Sequence, residues 1–480
     1  MIPYILKTFR GGFADESDKG IEGSFKHGYG LDIHSRDDVL KCASTVATID
    51  ESTIGSLVNF FVPASDGTTY AFGNTGSVFA IAGHVEDPVV TYVYNDENGG
   101  IKGAAEWKLS DGNNYLYWST GTSVARALMN GSLDTPWAAG VATQDHKTTL
   151  DYADWHTMKQ SGGLMTIANN NYLATIDYDG NFDPSKLNIR PGNIIKTIEE
   201  RDDYTIIGSG RKDKSEEGHI WSWIETAVKW IQKKRIQIQG VNAIITTEQM
   251  YVQGGDDGEI FWSDFTQSVP IHAIPGGGSV QPGGVAIDND LAAFGFFGGT
   301  YPGIWTYGRR MKNRSEALNY GYRLAKTVGG STISTIGALT NIDGLLIASW
   351  GTTDGSTSDY GVDMVSSTTR ANAIYEGLEF DASAPHQKKM IEMVKVITSP
   401  LVSGTSYSVK FKTDKESAWR YGEAGGATTY SIVDSVESEW IVGKQALIYE
   451  KGIELTPSGA DTPEIQALIT YISNEMSEHG

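Results

Sequence analysis

Seven times along this chain a short apolar run meets a glycine or a small polar turn, and in most cases a second apolar or aromatic run follows. The clearest copies are Tyr115-Leu116-Tyr117-Trp118 before Ser119, Tyr204 to Ile207 before Gly208, and Met250-Tyr251-Val252 before Gly254-Gly255. The others are Tyr70-Ala71-Phe72 before Gly73, Tyr172 to Ile176, Leu291 to Phe294 before Gly295, and Leu345 to Ala348 before Ser349. With Tyr70, Leu116, Leu173, Tyr204, Tyr251, Leu291 and Leu345 as anchors, the mean interval is about 46 residues, although single intervals run from roughly 31 to 57. A unit of that length cannot bury its apolar face alone and must stack on its neighbours. It matches one four-stranded blade of a β-propeller.

At 480 residues the chain is too long for one ordinary core, so two or three domains are expected. Hydrophobic content of 40% and charged content of 20% fit a folded protein rather than a disordered one. The 56 glycines and 23 tyrosines suit tight turns and pleated surfaces. A net charge of −21 disfavours a nucleic-acid wrapper or a binder of anionic membranes. Cys42 is the single cysteine, which leaves no intrachain disulfide and no multi-cysteine zinc site. Met1 to Lys7 does not read as a secretory leader, and no run approaches the ~18 apolar residues of a membrane helix. The expectation is a chain made in a cytosol-like environment, without membrane insertion.

Residues 1–24 are rich in glycine and charge and read as an arm. Leu31 and Ile33 alternate with Asp32 and His34, so residues 31–41 are expected to supply the strand that closes the ring. Residues 25–384 hold the blade-like units. Within them Ile224, Val228 and Ile231 fall at helical spacing, and a short helix is expected over Trp223 to Arg235. The basic residues there, Lys229, Lys233, Lys234 and Arg235, read as a solvated face more readily than as a partner patch. After Asp381 to Pro385, Tyr407, Val409 and Phe411 alternate with polar residues in strand fashion. Residues 385–480 read as a small β-sandwich or jelly roll. It ends in a helix where Ile465, Leu468, Ile469 and Ile472 follow Thr462-Pro463. The fold class is thus all-β: a seven-bladed propeller followed by a small C-terminal β-domain.

Catalytic signatures are not found. The chain has no phosphate-binding Gly-Lys-Ser/Thr loop, no His-Glu-x-x-His pair and no Gly-x-Ser-x-Gly elbow. Asp256 to Trp262 approximates a sialidase Asp-box, but Gly254 replaces the serine and the tryptophan comes one residue late, so a hairpin turn explains it as well. Asp177, Asp179, Asn181 and Asp183 alternate as calcium ligands can, yet the loop lacks the glutamate and the glycine position of an EF-hand. A β-turn held by Asp and Asn side chains is the favoured reading. Trp118, Trp221, Trp223, Trp262, Trp305 and Trp350 recur at similar places in their units and read as packing between blades rather than as sugar-stacking surfaces. No catalytic residue, cofactor or essential metal is expected.

Three stretches carry a resemblance. They are Gly23 to Ile33; Pro191-Gly192-Asn193 through Arg211 and on to Ser215 through Trp221; and Ile441 to Lys444 with Glu454 to Gly459 and Thr462 to Ile465. Their layout resembles virion proteins of tailed bacteriophages in which a propeller precedes a small β-domain. The resemblance spans nearly the whole chain and is structural. It implies a structural or adaptor component of the tail, neck or host-facing tip, synthesised in the host bacterial cytoplasm. Other tail-tube, neck or baseplate proteins would be its partners, in several copies around a symmetry axis, with host-surface glycan as a further contact. A glycan-binding or glycan-cleaving propeller, with acids and aromatics at the central mouth, is the alternative.

Overall fold

The computed structural model describes residues 2–14, 20–36, 38–83, 88–96, 99–129, 148–213, 215, 217–310, 315–328, 330–354, 357–383 and 385–474. Glu216 of the second resemblance stretch and Ala384 at the expected domain boundary lie outside them. The described chain is almost entirely β, and its one named helix is the single turn Ala325–Val328. Among the described residues no helix is long and apolar enough to cross a membrane. The chain divides into two units. One holds residues 47–304 and 324–364, and the other holds residues 1–46, 305–323 and 365–480.

The first unit is a β-propeller. Strands follow one another as antiparallel meanders of four, for example Val58–Pro63, Thr69–Gly73, Ser77–Ala82 and Val89–Asn95. The first strand of each sheet lies against the first strand of the next. The circuit runs Val58–Pro63, Gly103–Lys108, Met158–Ser161, Asn193–Arg201, Val241–Thr246, Val285–Asp288 and Ile333–Ile342, then back to Val58–Pro63. The middle strands are buried on both faces because a neighbouring sheet covers each face. Asn114–Ser119, with Trp118 fully buried, therefore reads as a continuous apolar run rather than an alternating one. Each apolar core of the sequence repeat falls in a different sheet. Six anchors sit on second strands, but Leu173 sits on a third strand, Tyr172–Ile176, and the second strand of that sheet is Leu164–Asn169. That phase error accounts for the two most discordant intervals.

Ring closure differs from expectation. The outer strand beside Thr357–Arg370 is Ser44–Asp50, not a strand from residues 31–41. Among the described residues of 31–41 only the isolated bridges Leu31↔Cys42 and Leu40↔Ile465 form. Leu31, Ile33, Val39 and Leu40 are all buried, so this segment serves a core and not a half-exposed edge. The close approach at closure needs glycine at 337, where a Cβ would stand 2.0 Å from the Val58 carbonyl oxygen. Beside it, the Ser349 hydroxyl donates to that oxygen at 2.6 Å and accepts from the Ala338 N–H at 2.8 Å.

Two helices expected from periodicity are not helices. Residues 223–235 form a turn leading into the strand Gln232–Ile236, and Val228 and Ile231 are exposed. The tail segment is the strand Ile465–Asn474, flanked on both sides by Lys389–Thr398 and Ile2–Leu6. Hydrogen bonding to two neighbours outweighs a helical spacing that β-branched Ile465, Ile469, Thr470 and Ile472 support only weakly.

The second unit draws on both ends of the chain. The described residues of 1–24 are not a free arm. Ile2–Leu6 completes a sheet with Ile465–Asn474, Lys389–Thr398 and Glu437–Ala446. Gly12–Phe13 and Ser24–Tyr29 join Ala373–Gly377, Tyr449–Thr456, Ser406–Thr413 and Arg420–Tyr421 in a six-stranded sheet. The two sheets meet through Tyr407, whose ring lies 5.9 Å from Trp440 and whose hydroxyl lies 2.8 Å from Ser438 Oγ. The expected start of this domain at residue 385 misses strands that are distant in sequence, since local pattern carries no information about which ends will pair. Trp305 belongs to this unit, stacked 4.8 Å from Tyr320 with Phe13 against its edge.

Candidate functional site

The loop proposed from sequence as a calcium candidate is a side-chain-stabilised turn. Asp177 Oδ1 accepts from the N–H groups of Asp179 and Asn181 at 3.0 and 2.8 Å, and Oδ2 accepts from Asn181 Nδ2 at 2.9 Å. Partial burial alone would push the Asp177 carboxyl up, but the hydrogen bonds from Asn181 and the loop N–H groups hold it below the ordinary carboxylate range. Asp183 accepts from the Ser185 N–H at 3.0 Å. Asp179, Asn181 and Asp183 are exposed. Among the described residues no group of three or more His, Cys, Asp or Glu side chains converges on a metal-sized space. The loop's backbone instead docks on the preceding sheet, where the Asp177 carbonyl accepts from Trp107 Nε1 at 3.3 Å.

Five of the six recurring tryptophans are core. Trp118, Trp221, Trp223, Trp305 and Trp350 are fully buried, and Trp262 is half-buried. Trp118 packs among Phe60, Phe72 and Ile101 between the first two sheets, while Trp221 and Trp223 meet Leu164, Ala168 and Leu173 of the sheet before theirs. Four of the buried indole N–H groups have a named acceptor. Trp118 donates to Asp96 at 2.6 Å, Trp350 to Asp363 at 2.7 Å, Trp221 to Ser209 Oγ at 2.9 Å, and Trp223 to the Ala227 carbonyl at 2.8 Å. Asp363 also accepts from the Thr48 hydroxyl at 2.8 Å and the Ala325 N–H at 2.7 Å. His156, wholly buried, sets its ring nitrogens 2.6 and 3.1 Å from the carbonyls of Ala168 and Gly121. These acids and this histidine fasten strands. Cys42 is likewise inaccessible, and burial pushes its thiol up to about 12.

Inside the circuit of first strands lies a cavity of ≈ 720 Å³. Its walls bring together Phe61, Glu106, Trp107, Lys159, Glu199 and Glu200, which come from four different sheets. Glu106 accepts from the Ser65 N–H at 2.9 Å and from the Ser65 hydroxyl. Lys159 Nζ pairs with Glu199 Oε1 at 2.9 Å. Glu199 also accepts from the Glu200 N–H at 3.0 Å. Fixed carboxylates, one ammonium and aromatic faces suit a polar ligand of modest size. None of these residues stood out in sequence, because nothing local marks a wall residue until the ring is closed.

No protein-family model and no curated protein sequence matches the chain. Among solved structures it is similar to the crystal structure of the WD40 β-propeller domain of Doa1, at 13% identity and a TM-score of 0.44, over 68% of this chain and 97% of that one. It is also similar to a chain in the crystal structure of the mitotic checkpoint complex, at 12% identity and a TM-score of 0.45, over 73% and 96%. At such values the propeller assignment rests on the strand circuit itself.

Proposed function

We propose that this chain is a structural or adaptor protein of a tailed-phage virion, built as a seven-bladed propeller with a small β-sandwich and acting by protein–protein contacts. The observation that carries the reading is the outer strand Val89–Asn95. It ends its sheet, and it exposes Val89 at 58% and Tyr92 at 52%. An unpaired strand edge with apolar side chains is a template for contact with another chain. The buried acids of the ring fasten tryptophans, which keeps the scaffold rigid beneath such a surface. The virion setting rests on the sequence resemblance, and so does assembly in several copies around a symmetry axis. Cross-linking and imaging of intact particles test it. Cross-links from the 89–95 strand to a tail, neck or baseplate subunit are expected, and absence of the protein from purified particles refutes the reading.

The alternative, a glycan-binding or glycan-cleaving propeller, is favoured by one feature: carboxylates and aromatics do share the central cavity. Turnover of bacterial polysaccharide that is abolished by Glu106→Gln or Glu199→Gln would establish it in place of the adaptor reading.

A further inference from the structure

The sheet Asn193–Arg201, Tyr204–Arg211, Gly218–Trp223 and Gln232–Ile236 concentrates cations on one face. Its register pairs Asn193 with Arg211, Ser209 with His219, His219 with Arg235, and Trp221 with Lys233. Paired residues and those two apart share a face of a sheet. Arg211, His219, Lys233 and Arg235 therefore stand side by side. The turn before this sheet adds Arg190, whose charge bears on both His219 and Lys233. The turn is tied to the end of the second strand, because the Gly192 carbonyl accepts from the Lys212 N–H at 2.9 Å.

Among the described residues two acids answer Arg190, Arg211, Lys233 and Arg235. Asp213 lies 3.3 Å from Arg211 Nη2, whereas Glu217 is 3.8 Å from Arg211 Nε and 3.6 Å from Arg235 Nη2. The last two separations exceed a hydrogen bond. Among the described residues formal charge is left over on the positive side, in a chain whose net charge is −21.

A second observation is independent of charge. Asn193 Oδ1, Arg211 Nε and His219 Nδ1 are buried polar atoms with no hydrogen-bond partner among the described residues. Asn193 is 1% and His219 3% exposed. Buried orphans of this kind are uncommon, and each calls for a missing partner. Here two that can donate, Arg211 Nε and His219 Nδ1, meet on adjacent rungs of one sheet inside the cationic cluster, while Asn193 Oδ1, an acceptor, suits only a protonated oxygen of the ligand.

We infer that this corner of the sheet binds a phosphate-type oxyanion, free or as the terminal group of a small phosphomonoester, held by Arg190, Arg211, Lys233 and Arg235 above His219. A guanidinium fork matches two oxygens of a tetrahedral anion, and a set of forks fixes its orientation. Burial, and then the Lys233 charge, hold the His219 imidazole down to about 4. An anion beside it reverses the second of these effects. Of the sequence features, the basic run at 233–235 and the stretch from Pro191 to Trp221 converge here.

Calorimetric titration with inorganic phosphate and, separately, with phenyl phosphate tests the assignment. Binding of at least one is expected, weakening as salt is raised. Arg190→Gln with Arg235→Gln changes exposed side chains and leaves the fold intact, and it should weaken binding at least about tenfold. Arg211→Gln should do the same, and the surface pair carries the test if that variant fails to fold. Tighter binding of the ester than of free phosphate identifies a phosphorylated small molecule as the ligand, and equal binding identifies the free anion. A second readout is the His219 imidazole titration followed by NMR, whose midpoint should rise in saturating phosphate. No binding of either probe, unchanged affinity in the surface pair, or an unmoved His219 midpoint overturns the inference.

Discussion

Asp363 is the acceptor on which ring closure turns, and Asp363→Ala measures what it contributes. Its Oδ1 takes the Trp350 indole N–H at 2.7 Å and the Thr48 hydroxyl at 2.8 Å, and its Oδ2 takes the Ala325 N–H at 2.7 Å. Trp350 and Asp363 are both fully buried, so the indole N–H would be stranded without water. That costs about 1–3 kcal/mol. The Thr48 and Ala325 bonds are only partly buried, and their loss adds about 0.5–1 kcal/mol each, since water replaces part of it. The total is roughly 2–5 kcal/mol. At about 2 °C per kcal/mol for a unit of this size, the melting temperature should fall by roughly 4–10 °C. Asp363→Asn keeps the oxygen that serves Trp350 and Thr48 and sacrifices only the Ala325 bond, so it should lose less than half as much. Burial pushes the Asp363 carboxyl above its ordinary value of 3.8. Its ionisation therefore opposes folding as pH rises past 3.8, and the asparagine removes that opposition. Differential scanning calorimetry of the two variants is the assay. An alanine variant that melts within about 1 °C of the parent, or an asparagine variant as damaged as the alanine one, refutes the reasoning.

Three further outcomes are expected. Trp118→Ala removes a fully buried indole packed between two sheets and should cost about 3–5 kcal/mol in a urea unfolding series. Gly337→Ala places a methyl 2.0 Å from the Val58 carbonyl and should lower the melting temperature sharply, whereas Gly344→Ala, which meets no neighbouring atom but has a φ of 86°, should cost only a modest strain. Burial alone would push the Glu376 carboxyl up, but hydrogen bonds from His27 and Lys410 together with the Lys410 charge bring it down to about 2. The stability that Glu376 contributes is complete above 4.5 and is lost as pH falls toward 2, so Glu376→Gln should flatten the acid limb of the unfolding midpoint against pH.

The repeat and the class of fold were legible because each unit faces the same local problem. Runs such as Leu116 to Trp118 and Tyr251 to Val252 are two-sided apolar strands, and only stacked sheets can bury them. Turn chemistry was local in the same sense, and Asp177 with Asn181 closes its own loop by hydrogen bonds spanning four residues. What tertiary structure decided is every choice between partners distant in sequence. The strand beside Thr357–Arg370 is Ser44–Asp50 and not residues 31–41, and Ile2–Leu6 pairs with Ile465–Asn474 more than 450 residues away. The tail is a strand although its apolar spacing is helical, since two flanking strands satisfy its backbone. The cavity wall of Glu106, Lys159 and Glu199, and the meeting of Arg190, Arg211, His219 and Arg235, follow from register and closure. Local sequence specifies which face of a strand is apolar. Which other strand covers that face is set by a competition among all the strands at once, and its result is visible only in the folded chain.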